Sequence, residues 1–194
     1  MSLWDHLFKT AAKMLREPRA AASDLVRADL SREVVLMAFF AIMAVSIIAT
    51  EPLLSMAASM FEGEPLPPFR RAPGSAIGGL AFVWVTWKLG GLLGGRGTFD
   101  QILLSFVFME GILIVAIFGL LLLTFTIPAI AGMAGIAFIC YWVWMYSNVV
   151  AEVHEFPSAW KALGVVALSM ILVNYAGILI ASLLFGASEG AVNV

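Results

Sequence analysis

Glu110 is the residue whose type and position most invite chemistry: it is a carboxylate deep inside the apolar run from Phe99 to Thr124. A charge at that depth is costly and usually faces protein, water or a counter-charge. Lys88, near the end of the preceding apolar run, is a candidate partner if the two runs form an antiparallel hairpin. The α-helical rise then puts both groups about 10–15 Å in from the turn. Asn174, in the last apolar run, is the next polar side chain that could join them. Such a group can handle a proton or an ion, or line a binding pocket. The commoner use is structural, as a salt bridge or a hydrogen-bonded carboxyl between helices.

A second group is Glu152, His154 and Glu155, followed by Phe156, Pro157 and Ser158. Two carboxylates beside one imidazole could suggest a metal site. The two-histidine spacing of zinc hydrolases is missing, however, and no cysteine lies nearby. His154 therefore reads as a solvated or loop-bracing residue, and Ser158 as the N-cap of the helix that follows. No nucleophile, base and acid occur in a recognisable arrangement: His6 and His154 are the only histidines, and no serine sits in a nucleophile elbow.

Between Lys88 and Glu110 lies the run Gly90-Gly91-Leu92-Leu93-Gly94-Gly95-Arg96-Gly97-Thr98. Gly90 with Gly94, and Gly91 with Gly95, are four apart and would share a helix face that lets another backbone approach. Gly74 and Gly78 repeat that spacing. A phosphate loop is a poor fit, because the run follows a helix and lacks the glycine–lysine–hydroxyl ending. Thr98 reads as an N-cap, with Asp100 near the positive end of the helix dipole. The run is best understood as a helix-hairpin turn, with Arg96 anchoring it at the membrane face.

The elements that must position these residues are membrane spans. The chain is 62% hydrophobic and 12% charged, with a mean hydropathy of +0.99, a composition whose natural solvent is lipid. The single cysteine, Cys140, excludes an intrachain disulfide. Five runs are long enough to cross: Val34 to Ile48, Ala76 to Leu93, Phe99 to Thr124, Ala129 to Val150 and Ala162 to Phe185. Thr50-Glu51-Pro52 reads as the far end of the first, and the proline-rich stretch Phe61 to Gly74 as a loop. Ahead of the spans, Leu3, Trp4, Leu7, Phe8, Ala11, Met14 and Leu15 recur on one face of an amphipathic helix. That face suits either the headgroup layer or the protein's own loops. Pro18 opens a second short helix, which Asp29 or Ser31 separates from the first span.

Orientation follows from the basic residues. With the N-terminus inside, Lys9, Lys13, Arg16, Arg19, Arg27, Arg32, Lys88, Arg96 and Lys161 fall on the cytoplasmic side, leaving Arg70 and Arg71 opposite. An odd number of spans puts the C-terminus outside. Trp142, Trp144, Tyr146 and Trp160 would form the inner aromatic belt.

Three motifs carry a resemblance: Glu17-Pro18-Arg19, Gly95-Arg96-Gly97-Thr98-Phe99 and Ala151-Glu152-Val153-His154-Glu155-Phe156-Pro157-Ser158. With five spans behind a basic amphipathic start, the chain resembles the Yip-domain family of five-span membrane proteins named for interacting with Ypt/Rab GTPases, and within it the bacterial branch. The resemblance runs from about Glu17 to Phe185. It implies an all-helical five-span fold with a cytosolic N-terminus, and it brings no catalytic residue. The eukaryotic relatives are linked to vesicle trafficking and Rab recruitment; this sequence departs from them in its short N-terminal region.

Together these readings give an all-α integral membrane protein with five transmembrane helices and a short amphipathic N-terminal region. The expected division is 1–32 cytoplasmic, 33–186 membrane domain and 187–194 outer tail. The expected role is non-enzymatic: organising or adapting partner proteins or lipids at a bacterial cytoplasmic membrane, without cofactor, metal or nucleic acid. Membrane lipid and other membrane or cytosolic proteins are the expected partners, and self-association is left open. The alternative is a small transporter or channel that uses Lys88 and Glu110.

Overall fold

The computed structural model describes residues 3–28, 30–60 and 68–189, and every regular element among them is an α-helix. In order these are α1 (Leu3–Arg16), α2 (Pro18–Val26), α3 (Arg32–Met60), α4 (Pro68–Leu92), α5 (Phe99–Thr126), α6 (Pro128–Val153) and α7 (Ala159–Glu189). Five of them, α3 to α7, are long and apolar enough to cross a membrane. The chain is an all-helical, multi-pass membrane protein.

Proline placement explains most of the boundaries. Pro18 and Pro128 stand at the first positions of α2 and α6, where a missing N–H costs nothing. Two boundaries differ from the sequence reading. Pro52 lies inside α3 rather than ending it, and α4 begins at Pro68 with Pro73 inside it. Each interior proline removes one backbone hydrogen bond, which a long membrane helix tolerates when nearby groups adjust. Thr50 Oγ1 donates to the Ile47 carbonyl at 3.1 Å, one turn ahead of Pro52. Residues 61–67 of the expected loop, Asp29, and residues 190–194 of the expected tail lie outside the described residues.

The helices α4, α5, α6 and α7 pack pairwise in a cycle, each against the next and α7 back against α4. Helix α3 lies outside this ring, against α5 and α4. Helices α1 and α2 fold back on the end of the bundle where the α4–α5 and α6–α7 turns meet, with α2 on α6 and α5. We call this the collar end and the opposite end the far end. Met14, Ala21 and Ala22 are fully buried and join the core there. Lys13 reaches Asp24 at 2.5 Å, and the Tyr141 hydroxyl donates to the Leu15 carbonyl. The amphipathic face of α1 is therefore divided: Met14 packs on protein, while Phe8 is 73% exposed.

Burial is strongly asymmetric along the bundle. On α6 the buried run is Met145 to Val153 apart from Asn148, with Ala131 the one buried residue further out. On α7, Ala162, Val165, Val166 and Ser169 are buried, and no described side chain beyond Ser169 is. Helix α5 alone stays buried far out, through Ile117 and Leu121.

Candidate functional site

The collar end is assembled from two turns that close in the same way. Helix α4 ends with Gly95 N–H donating to the Gly90 carbonyl at 2.9 Å and Gly94 N–H to the Gly91 carbonyl at 3.0 Å. Gly94 takes φ +86°, so this is a Schellman end with glycine at the left-handed position. Helix α6 ends with Phe156 N–H on the Ala151 carbonyl at 2.7 Å and Glu155 N–H on the Glu152 carbonyl at 3.0 Å. There the left-handed residue is Glu155, at φ 57°. The two turns are tied directly, by the Arg96 N–H on the His154 carbonyl at 3.3 Å. The Arg96 guanidinium also reaches Glu155 at 3.4 Å, and Lys161 Nζ donates to the Leu93 carbonyl at 2.6 Å.

His154 sits at the centre of this junction and is 1% exposed. A Cβ at Gly90 would lie 2.2 Å from its Nε2, and one at Gly95 would lie 2.4 Å from its Nδ1. At Gly97 a Cβ would meet Val153 at 2.7 Å and His154 Nδ1 at 3.1 Å. Three glycines thus form a socket that no larger residue could build. Phe156 stacks on the imidazole at 5.4 Å between centroids, and Lys161 Nζ lies 4.5 Å over the Phe156 ring. Burial lowers the His154 pKa from its ordinary value, partly opposed by the Thr86 backbone beside it. Neither ring nitrogen closes a hydrogen bond to a described residue.

This reverses the reading of His154 as solvated, and it regroups the glycines. The helix ends at Leu92, so the four-residue pairs do not continue as one helical face: Gly91 and Gly94 meet nothing, and neither do Gly74 and Gly78. The contact set is Gly90, Gly95 and Gly97. A sequence signal existed, since Gly95-Arg96-Gly97 and Glu152-Val153-His154 are the two densest motifs, but nothing in the linear sequence says that they touch.

Around the socket, Thr98 caps α5. Its hydroxyl accepts from Gln101 N–H at 3.3 Å while the Gln101 side chain accepts from Thr98 N–H at 2.9 Å. Asp100 takes a bidentate pair of 2.9 Å bonds from Arg32 on α3. Ser158 Oγ accepts from Trp160 N–H at 3.2 Å at the start of α7. Glu152 lines a shallow cavity of about 260 Å³ with Ser23, Arg96 and Gln101. No cluster of three metal-ligating side chains occurs among the described residues.

The intramembrane residues are placed apart. Glu110 is 8% exposed and accepts a hydrogen bond from Ser46 Oγ on α3 at 3.1 Å. Lys88 is exposed, with Nζ 4.2 Å over the Trp87 ring. The anticipated Lys88–Glu110 pair is not made, and helix register explains why. Lys88 is four residues from the end of α4 and Glu110 eleven past the start of α5. At about 1.5 Å per residue their depths differ by roughly 10 Å. Asn174 is exposed and donates to the Met170 carbonyl of its own helix at 2.8 Å, so it does not join Glu110 either.

Tyr146 is another correction. It was expected in the aromatic belt but is wholly buried, stacked on Trp142 at 5.3 Å and against Phe82 at 5.4 Å. Trp144 and Trp160 are exposed, at 47% and 80%. A family model described as the Yip1 domain matches residues 12–181. No curated protein and no solved structure matches the chain.

Proposed function

The chain belongs to the Yip1 domain family, and from that premise we propose that it is a non-enzymatic organiser of partner proteins or lipids at a bacterial cytoplasmic membrane. The family is not known for catalysis. In this reading the collar end and the N-terminus face the cytoplasm, and the C-terminus lies outside. Basic residues support that placement, because Lys9, Lys13, Arg16, Arg19, Arg27, Arg32, Arg96 and Lys161 all belong to the collar elements or the ends of helices adjoining them.

The observation that carries the proposal is α1. It is folded onto the bundle through Met14 yet presents Phe8 and Leu15 outward on an amphipathic helix. A surface helix held in place by protein is suited to a headgroup layer or to a partner's apolar groove. Co-purification of the full chain in mild detergent tests this. A reproducible partner protein or lipid, lost in Phe8→Asp, is the expected result; no partner, or one indifferent to Phe8→Asp, contradicts it. A reporter fused at Val194 should read as non-cytoplasmic.

One observation favours a second reading, a small transporter or channel: Glu110 is a buried carboxylate inside a span. It would have to act without Lys88. Ion or proton flux in proteoliposomes that is abolished by Glu110→Gln would support it, and the absence of flux would remove it.

A further inference from the structure

The axis of the α4–α7 ring is polar, and its polar groups are not satisfied by protein. Thr86 is 0% exposed, Ser105 1% and Tyr146 0%, and the hydroxyls of all three lack a hydrogen-bond partner among the described residues. Buried hydroxyls inside a helix normally bond back to the carbonyl four residues earlier. Ser147 does so to Val143 at 2.7 Å, and Ser169 to Val165 at 2.8 Å. Thr86 and Ser105 decline that option. A buried polar atom left unpaired costs about 1–3 kcal/mol, and internal water is the usual remedy.

The register of α4 against α6 puts these groups in line. Both helices lead into the collar-end turns, so they run parallel. Phe82 meets Tyr146 at one level, and Gly90 meets His154 at another. Thr86 is one turn from each on the same face of α4, so it stands between Tyr146 and His154. Electrostatics agree with this order: Thr86 acts on both Tyr146 and His154, and Glu110 acts on Tyr146. Thr86 and Tyr146 nonetheless stand close without closing a hydrogen bond.

We propose that Glu110 exchanges its proton with the collar-end solvent along a hydrated track formed by Tyr146, Thr86 and His154. The proton leaves the Glu110 carboxyl to the track and returns by it, with water and hydronium as the only co-reactants. Serine and aromatic neighbours, Ser46 from α3 and Phe106 on α5 beside Tyr146, complete the surroundings. His154 seals the outlet, and the charged groups around it are Arg96, Glu152, Glu155 and Lys161 on the two turns and the adjoining helix ends. Lys88 points away to the exposed surface. The exchange needs no net transport across the bilayer, so it stands or falls separately from the organiser and transporter readings.

Time-resolved infrared spectroscopy on the full chain in lipid nanodiscs tests the track after a pH jump. The carboxyl signal of Glu110 is the one removed by Glu110→Gln. It should follow the jump in the native protein, slow by about tenfold or more in Thr86→Val and in Tyr146→Phe, and recover in Thr86→Ser. Thermal unfolding of each variant checks that it is folded; if one variant fails that check, the other two carry the test. A Glu110 signal that ignores the jump overturns the proposal. So does an unchanged rate in a folded Thr86→Val or Tyr146→Phe, which would mean that the proton takes another route.

Discussion

The collar half and the far half of the bundle are made from the same five helices and are held together differently. At the collar end, side chains interlock: His154 in its glycine socket, Tyr146 among Phe82, Phe106 and Trp142, and ion pairs at Lys13–Asp24, Arg32–Asp100 and Arg96–Glu155. At the far end, α6 and α7 present side chains such as Met133 and Ile178, which are 75% and 66% exposed. In lipid this exposure carries no hydrophobic penalty, so helices need not close against one another to be soluble in the bilayer. What holds a membrane bundle is close packing and hydrogen bonding, and here both are concentrated at one end. The difference teaches that glycine means opposite things in the two halves: a shape requirement at Gly90 and a spacer at Gly177.

Substitution at those two positions is the sharpest way to break the comparison. Gly90→Ala should lower the stability of the full chain by roughly 1–3 kcal/mol, because the new Cβ displaces the imidazole. Gly177→Ala meets nothing within 4 Å and should stay within about 0.5 kcal/mol of the parent, with helix propensity in its favour. Thermal unfolding in one detergent measures both. Equal losses would erase the distinction between the halves.

Acid should loosen the collar and spare the far end. The folded His154 has a lowered pKa, so the unfolded chain binds more protons in the window from the ordinary value of 6.5 down to the folded value. Stability is therefore full above that window and falls on acidification through it. The slope is at most about 1.4 kcal/mol per pH unit for one group. Unfolding midpoints of the native chain and His154→Asn at several pH values should diverge across this window; parallel curves would deny the burial its effect.

Two smaller effects sharpen the boundary between the halves. Ser46→Ala removes the donor to Glu110, midway along the bundle, and should cost about 1 kcal/mol. Arg32→Ala breaks an exposed bidentate pair with Asp100. Its loss should be the smallest of the series and should disappear in high salt, as measured by midpoints at two ionic strengths.

The sequence made the five spans legible because apolar run length alone decides membrane crossing, and the amphipathic face of α1 was equally plain from spacing. Thr98 was readable as a cap because capping is local chemistry between residues three apart. Proline misled at Pro52 and Pro73, since a membrane helix can run through a residue that a soluble helix would end on. The Lys88–Glu110 pair failed on register: a hairpin brings two helices together, but matching depth requires equal distances from the turn. His154 was the largest miss. Its burial depends on a contact between residues about 60 positions apart, and a polar residue flanked by two carboxylates gives no local sign of a dry interior. The glycines did carry the signal, as positions where something must come close, but not what comes.

A double-mutant cycle on Gly90→Ala and His154→Ala tests the central claim, that the imidazole in its glycine socket locks the two collar turns together. With the ring gone, the Cβ at position 90 has nothing to displace. The cost of Gly90→Ala should then vanish in the His154→Ala background, giving a coupling of roughly 1–3 kcal/mol in thermal unfolding of the full chain. Additive losses, with Gly90→Ala as costly without the imidazole as with it, would contradict the socket.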